Sequence, residues 1–377
     1  MSRSVLPVRD RSKLWTKGKV RSDLMGCTWR GLCVVLLIGF ASGLAQNVCT
    51  RRRVGERLCP ELFFLGVRFG GSTAVAMYVA SQPAVSLNFP HSVDPYVEFE
   101  AHFFDDNFLR GIGYYAGLFP VRNVSYDLAA DATPDYLMGR YVPLKIYDSL
   151  DFKAVYFVVS LRDPAARAYA WYKHSMGTRM NDVSLDKAMS DFEYKYSLMA
   201  KYIGPIVAEC MNGEEDPEEA YFACSGRVYY RERVRSPVIE ETDNLATGIP
   251  RLQRGFTGGL YGPLLLHWFR HFHASQFCLV IYENLLTQFE EEIDHLRPCL
   301  KPFGRDLHVQ PGDGITVPTI TCTDCDEMEQ LEEDAERSIG LVLHSELYAS
   351  SNKVVRGLLW NLYRREGIPV WEELYTG

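Results

Sequence analysis

Short apolar runs that alternate with helical patterns constrain the fold of this chain more than any other feature. The runs lie at 62–67 (LFFLGV), 154–161 (AVYFVVSL) and 277–282 (FCLVIY). The first two lead through a turn into a helical pattern, and the third follows an amphipathic helix over 264–272. Uninterrupted apolar strands between helices are typical of a parallel sheet that is buried on both faces. The sequence therefore predicts an α/β fold with a central parallel sheet.

The N-terminal region combines a basic segment with an apolar one. Residues 1–30 contain eight Lys or Arg and two Asp, and residues 31–48 carry no charge. This order is typical of a signal anchor, although the apolar run is short for a span of about 20 residues, so a cleaved signal peptide is the alternative. We expect a cytosolic basic tail at 1–30, the anchor or signal peptide at 31–48, a stem at 49–60 and a lumenal domain at 61–377.

Charge and cysteine content indicate the surroundings of this domain. The whole chain has a net charge of −8, and the basic tail makes the remainder more acidic still. Such a domain lacks the basic field that a nucleic-acid partner requires, so we predict none. Eight cysteines follow residue 48, an even number that suits disulfides in an oxidising lumen. Cys322 and Cys325 have no second pair with zinc-ligand spacing, which favours a structural disulfide over a metal site.

An acidic stretch interrupts the pattern between about residues 204 and 258. It contains Pro and Gly, and Cys210 and Cys224 bracket its most acidic part. We interpret it as an insertion loop closed by a disulfide. Its basic end, with Tyr229 and Tyr230, could hold an anionic sugar chain, and a solvated charged loop is the alternative.

A glycine pair, Gly70-Gly71, follows the first apolar run and is followed by Ser72 and Thr73 at the start of a helical pattern. A glycine-rich turn between a strand and a helix can cradle a phosphate with backbone N–H groups. The Gly-Lys-Ser/Thr ending of a nucleoside triphosphatase loop is missing, which disfavours ATP or GTP hydrolysis. Glycines that only permit tight packing are the alternative.

Five segments share their order with one known family. They are 66–73 (GVRFGGST), 100–105 (EAHFFD), 113–120 (GYYAGLFP), 133–137 (TPDYL) and 161–167 (LRDPAAR). Together they resemble the heparan sulfate sulfotransferases, particularly the glucosaminyl 3-O- and N-sulfotransferases, from about residue 60 to about residue 365. The resemblance implies a P-loop-like three-layer fold, with helices flanking the central parallel sheet.

The resemblance also implies a reaction and a location. The family transfers a sulfonate from 3′-phosphoadenosine 5′-phosphosulfate to a sugar hydroxyl or amine, without a metal ion or a covalent enzyme intermediate. The implied acceptor is an anionic or neutral glycan. The implied location is the Golgi membrane, with the anchor at 31–48 and a lumenal catalytic domain (type II), and a secreted protein is the alternative.

Site residues follow from the positions that match the family. Glu100 matches the catalytic base, and His102 stands two residues on. Burial beside aromatic residues is expected to favour proton uptake by Glu100. Arg162 matches the arginine that grips the donor's 3′-phosphate. The remaining candidate donor-binding residues are in the turn: Arg68, Gly70, Gly71, Ser72 and Thr73.

Each of these assignments has a structural alternative. Glu100 could be a surface carboxylate, His102 a packed histidine, and Arg162 a partner of Asp163 or of another neighbour.

Three departures from the family pattern leave a second function open. Phe69 and Ala132 stand where the family has lysines that face the reacting sulfonate, and Ala170 replaces a serine that binds the 3′-phosphate. The chain is then either an enzyme that has rebuilt its donor site, with Arg68, Arg140 or Lys145 in place of the lysines, or a catalytically silent glycan-binding or scaffold protein. Two lost charge-assisted contacts would weaken donor binding by about 3–6 kcal/mol.

The predicted export can be tested at Asn123, which begins an Asn-Val-Ser sequon. Protein from a eukaryotic secretory host should lose apparent mass on treatment with an N-glycosidase, and the Asn123→Gln variant should not shift. Wild-type protein that carries no N-glycan and stays in the cytosol would contradict the expected topology.

Overall fold

The computed structural model describes residues 58–82, 85–87, 100–121, 128–176, 187, 190, 192, 194, 255–304 and 348–363. No helix within these ranges is long and apolar enough to cross a membrane. The predicted segments at 1–30, 31–48 and 49–57, most of the insertion at 204–258, the sequon and the pair Cys322 and Cys325 lie outside the described residues.

A five-stranded parallel sheet forms the centre of the domain. Its strands are β1 (Leu62–Gly66), β2 (Val85–Leu87), β3 (Leu128–Asp131), β4 (Tyr156–Leu161) and β5 (Phe277–Ile281). They lie in the order β2-β3-β1-β4-β5. The three predicted strands are β1, β4 and β5, within two residues at each end. β2 and β3 were not predicted, because a short strand and the small residues Leu-Ala-Ala-Asp give a weak apolar signal.

Helices of different lengths connect and cover the strands. The α-helices are α1 (Ser72–Ala80), α2 (Ile112–Gly117), α3 (Val142–Ser149), α4 (Pro164–Met176), α5 (Tyr261–Phe269), α6 (Tyr282–Thr287), α7 (Phe289–Ile293), α8 (Arg297–Leu300) and α9 (Ala349–Tyr363). Short 3₁₀ turns lie at Phe108–Arg110, Tyr136–Met138, Ala274–Gln276, Asp294–Leu296 and Lys301–Phe303, and a π-helical turn at Phe103–Asn107.

Both faces of the sheet are buried, which confirms the predicted layered α/β architecture. Successive residues of β1 alternate between two apolar clusters: Phe63 packs in one and Phe64 in the other. Trp268 of α5 belongs to the first cluster, and Val75 of α1 to the second. Since strand side chains alternate between faces, helices cover both sides of the sheet.

A disulfide joins Cys278 of β5 to Cys299 of α8, with their Cα atoms 6.1 Å apart. Cys59 is also disulfide-bonded. The even number of cysteines predicted that the domain contains disulfides, but it did not predict the pairing of Cys278 with Cys299.

The order of the strands predicts a ligand-binding crevice at the carboxyl ends of β1 and β4. The chain leaves β1 toward β2 at one edge of the sheet and leaves β4 toward β5 at the other. In open parallel sheets, ligands bind where neighbouring strands connect in opposite directions. The glycine turn follows β1 and Arg162 follows β4, so both border this crevice.

Packing alone accounts for the glycine pair. A Cβ on Gly70 would overlap Cγ2 of Val67 and lie 3.0 Å from the carbonyl oxygen of Ser160 in β4. Gly71 has φ 79°, and a Cβ there would lie 2.5 Å from Cδ2 of Tyr282. The tight-packing alternative therefore applies to this turn.

Replacing Gly71 with Ala should therefore destabilise the domain. The left-handed backbone costs a residue with a Cβ about 1–2 kcal/mol, and the Tyr282 ring must also move. The matched control is Gly113→Ala in α2, where a Cβ meets no atom within 4 Å. Urea unfolding should show a lower midpoint for Gly71→Ala and an unchanged or higher one for the control. Equal midpoints would contradict the described turn.

Candidate active site

Four side chains form a continuous chain of contacts beside the crevice. Arg68, in the turn after β1, pairs with Oε2 of Glu100. The same carboxylate oxygen lies 2.8 Å from Nε2 of His102, and Nδ1 of His102 lies 2.7 Å from Oδ2 of Asp105. A second nitrogen of Arg68 lies 3.6 Å from Asp135. The structure thus brings three predicted site residues, Arg68, Glu100 and His102, into direct contact.

His102 is protonated in this arrangement. Its hydrogen bonds with Asp105 and then with Glu100 raise its pKa to about 10, against the opposing effect of burial. An imidazolium donates from both ring nitrogens, so each N–H points at a carboxylate. The alternative of an unpaired packed histidine does not apply.

Burial was expected to favour proton uptake by Glu100, and this prediction is wrong, because the pKa of Glu100 is lowered. Burial by itself raises the pKa of Glu100, but the hydrogen bond with His102 and the nearby charge of Arg68 lower it below the ordinary value. Glu100 is therefore an ionised, only partly exposed carboxylate held between two cations. Its side chain is 19% exposed, so the surface-carboxylate alternative does not apply.

The candidate donor-binding side of the crevice centres on Arg162. Its Nη1 donates to the carbonyl of Phe69 over 3.0 Å, and its guanidinium carbon lies 4.7 Å from the centre of the Tyr282 ring. The hydroxyl of Tyr261 donates to the carbonyl of Arg162 over 2.8 Å. Arg162 forms no ion pair with any residue in the described ranges. Its other N–H groups can thus bind an anion in the crevice.

The start of α1 lies at the same edge. Gly71 occupies the N-cap position, no side chain caps the helix, and its first turn contains no acidic residue. Ser72 is buried and Thr73 is exposed. The positive end of the helix dipole is therefore not neutralised by the helix's own side chains, which favours an anion.

The two positions at which the sequence resemblance implies lysine, Phe69 and Ala132, are apolar here. Phe69, with φ 66°, packs its ring 5.1 Å from that of His174. Ala132 is buried in the apolar cluster that also contains Val75 of α1.

The basic residues considered as replacements have other contacts. Lys145 donates to the carbonyl of Phe104 over 2.6 Å and lies 4.9 Å from the Phe108 ring centre. Arg140 lies over the ring of Tyr141. Of the three candidates, only Arg68 is part of the glycine turn.

Two further residues support the site and were not assigned a role from the sequence. Arg167 is buried and donates to the carbonyls of Arg68 and Gly255, which ties α4 to the turn after β1. Asp131, at the end of β3, is fully buried. The sequence offered one signal for a role of Asp131, which is that an acidic residue directly ends a short apolar strand.

His102, Asp105 and Asp106 also place potential metal-ligand atoms within 4.8 Å of one another. Both ring nitrogens of His102 already contact carboxylates. The cluster is therefore best described as an ion-paired histidine.

Comparisons with known proteins agree with the resemblance seen in the sequence motifs. No family model matches the chain. It is 32% identical over 143 residues to the human bifunctional heparan sulfate N-deacetylase/N-sulfotransferase 2, which covers 35% of this chain and 16% of that protein. It is 29% identical over 125 residues to heparan sulfate glucosamine 3-O-sulfotransferase 3B1 of Mus musculus, covering 33% of this chain and 29% of that protein.

The resemblance to heparan sulfate sulfotransferases is thus confirmed for about a third of the chain. The matched part spans less than a third of either relative's length. Among solved structures, a sulfotransferase from Alicyclobacillus acidocaldarius matches with a TM-score of 0.41 and 15% identity, covering 78% of this chain and 98% of that one.

The raised pKa of His102 predicts how stability depends on pH. A histidine whose pKa rises from 6.5 to about 10 on folding stabilises the protein fully below pH 6.5, and this contribution disappears as pH rises toward 10. Unfolding free energies from urea titrations should therefore fall across this interval in the wild type, and less steeply in His102→Gln.

His267 provides the matched control for this experiment. Burial lowers its pKa to about 4, so its contribution changes only below pH 6.5. The His267→Gln variant should keep the alkaline slope of the wild type. An identical slope in wild type and His102→Gln would contradict the described ion pairs.

Proposed function

We propose that this chain is a glycan sulfotransferase, which transfers a sulfonate from 3′-phosphoadenosine 5′-phosphosulfate to a sugar hydroxyl or amine. The observation that supports this most strongly is the contact chain from Arg68 through Glu100 to His102. It joins a candidate base directly to the glycine turn that follows β1. The sequence similarity to heparan sulfate sulfotransferases supports the same reaction class.

The donor carries anionic groups at both ends, and the crevice offers a cation for each. Arg162 would bind the 3′-phosphate with N–H groups that have no described partner. The start of α1, with Ser72 and Thr73, would bind the 5′-phosphosulfate through backbone N–H and hydroxyl groups. Arg68 would supply the positive charge nearest to the reacting group.

In the proposed reaction, the acceptor oxygen or nitrogen forms a bond to sulfur as the bond between sulfur and the bridging phosphate oxygen breaks. The bond's electron pair leaves with adenosine 3′,5′-bisphosphate, and Glu100 takes the acceptor's proton. With its low pKa, Glu100 is a weak base while Arg68 pairs with it. An anionic donor that attracts Arg68 would strengthen Glu100 as a base, because part of the neighbouring positive charge would be withdrawn.

His102 would keep a proton throughout this reaction. Its imidazolium would fix the orientation of the Glu100 carboxylate, since both Asp105 and Glu100 accept its hydrogen bonds.

A second candidate is a catalytically silent glycan-binding or scaffold protein. Phe69 and Ala132 favour it, because they leave the reacting sulfonate without the two lysines of the related family. A loss of about 3–6 kcal/mol in the free energy of donor binding corresponds to a factor of roughly 10² to 10⁴ in donor affinity. A silent protein of this kind would bind the glycan and fail to turn over the donor.

The proposed enzyme acts in the Golgi lumen on an anionic or neutral glycan. Residues 31–48 would anchor it to the membrane, or would direct its secretion if they are cleaved. The reaction as proposed involves no metal ion and no nucleic acid. The N-glycosidase experiment at Asn123 tests this location.

Two substitutions should separate donor binding from catalysis. Arg162→Ala should weaken binding of adenosine 3′,5′-bisphosphate by about 1.5–3 kcal/mol, through loss of a charge-assisted hydrogen bond. Glu100→Gln should leave this binding nearly intact and abolish sulfonate transfer, because an amide accepts no proton at neutral pH. Calorimetric titration measures the first effect and a radiolabel transfer assay the second.

Arg297→Ala is the matched control, because this partly exposed arginine of α8 pairs with Asp294 of the preceding turn. It should bind the nucleotide like the wild type. If the wild-type protein does not bind the nucleotide at millimolar concentration, the proposed sulfotransferase activity is refuted. Binding without transfer to any glycan would favour the silent protein.

A further inference from the structure

His102 has an unusual backbone conformation for a residue with a side chain. Its φ of 44° and ψ of 36° lie in the left-handed region. Such a conformation persists in non-glycine residues only where surrounding contacts impose it. It lets the imidazole reach Glu100 two residues before and Asp105 three residues after. Whatever holds this backbone therefore also holds the ion pairs.

Three side chains bind the backbone at this point. The amide of Asn107 donates to the carbonyl of His102 over 2.9 Å, and two hydroxyl groups accept from the N–H groups. His102 N–H donates to Oγ1 of Thr133 over 3.3 Å. The N–H groups of Phe103 and Phe104 both donate to the hydroxyl of Tyr136, over 2.9 and 3.2 Å. Each hydroxyl accepts from the main chain, so each must place its own hydrogen elsewhere.

Both hydroxyl hydrogens point at Asp131. Thr133 donates to Oδ1 of Asp131 over 2.6 Å, and Tyr136 donates to Oδ2 over 3.0 Å. A hydroxyl has one hydrogen and two lone pairs. Because the carboxylate takes the hydrogen, the lone pairs of Thr133 and Tyr136 remain for the backbone N–H groups. The charge of Asp131 thereby sets the direction of every hydrogen bond in this group.

We propose that Asp131 is a positioning residue, which fixes the contact chain of Glu100, His102 and Asp105 by orienting the hydroxyls of Thr133 and Tyr136. Its consequence for sulfonate transfer rests on the proposed function, whereas its effect on His102 does not.

The charge of Asp131 is costly to bury at this position. Asp131 is fully buried, and hydroxyl groups, with no cation, are its hydrogen-bond partners among the described residues. Burial raises its pKa from 3.8 to about 6, so stability is lost as pH rises from 3.8 to about 6, and the ionised form is a net cost above that. A carboxylate that costs stability and organises the backbone beside Glu100 is consistent with a positioning role.

Two buried tyrosines provide a matched test. Tyr115 and Tyr136 both donate to Oδ2 of Asp131, but only Tyr136 also accepts from the backbone next to His102. Tyr136→Phe should lower the pKa of His102 by about one unit, a tenfold loss in proton affinity. Tyr115→Phe should leave it within about 0.3 unit of the wild type. NMR titration of the imidazole measures this pKa directly.

The readout depends on few charged groups. Glu100 and Asp105 contact His102, and Arg68 contacts Glu100 and Asp135. Lys145, Asp106 and Asp131 are close to Asp105. All are retained in both variants, so a difference between them reports the position of His102.

Conservative variants extend the test. Thr133→Val keeps the shape and loses the hydroxyl, so it should lower the pKa of His102, and Thr133→Ser should restore it. Asp131→Asn should lower it as well. If Asp131→Asn does not fold, the comparison of Tyr136→Phe with Tyr115→Phe still tests the positioning role of Asp131. Equal pKa values for His102 in Tyr136→Phe, Thr133→Val and Tyr115→Phe would overturn the proposal.

Nucleotide binding distinguishes this result from a failure of the proposed function. Among the described residues, Arg162 and the start of α1 form no hydrogen bond or ion pair with Asp131, Thr133 or Tyr136, so Tyr136→Phe should bind adenosine 3′,5′-bisphosphate as the wild type does. A wild type that binds no nucleotide, together with a shifted His102 in Tyr136→Phe, would refute the donor site and support the positioning role. Loss of nucleotide binding in Tyr136→Phe alone would show a general disturbance of the fold and overturn the proposal.

Discussion

The buried carboxylate of Asp131 accepts hydrogen bonds from three hydroxyl groups, and the geometry of the candidate active site depends on it. Two of these hydroxyls hold the backbone around His102, and His102 in turn holds Glu100. Each step is needed because the segment at 100–105 lies in no strand or regular α-helix. Without ladder hydrogen bonds, the N–H groups of His102, Phe103 and Phe104 are satisfied by side chains.

The sheet contributes the second half of the site. β1 and β4 are neighbours whose onward connections run to opposite edges, so the turns that follow them meet at one crevice. This brings Arg68 and the glycine pair together with Arg162, although more than ninety residues separate them in sequence. Tyr282, which follows β5, packs against both Gly71 and Arg162. The candidate donor site and the candidate base therefore share one element, the turn after β1.

Much of this arrangement was predictable from the sequence, and the exceptions have physical causes. Apolar runs predicted three strands, while β2 and β3 are too short or too rich in alanine to give a signal. Shared motifs predicted that Arg68, Glu100 and His102 belong to one site. The pKa of Glu100 was predicted in the wrong direction, because burial is readable from aromatic neighbours and the contact with Arg68, 32 residues away, is not. The role of Asp131 depends on hydroxyl directions, which no spacing rule contains.

Phe69 and Ala132 remain the strongest argument against catalysis, and Arg68 is the cation that the structure places in the glycine turn itself. The central claim is that this turn, together with Glu100, supports sulfonate transfer. The most direct test incubates the wild-type protein and its Glu100→Gln variant with radiolabelled 3′-phosphoadenosine 5′-phosphosulfate and a heparan sulfate chain. Label incorporation by the wild type that disappears in Glu100→Gln is the predicted result. Equal incorporation by both proteins, or none by a folded wild type that binds the nucleotide, would contradict the account.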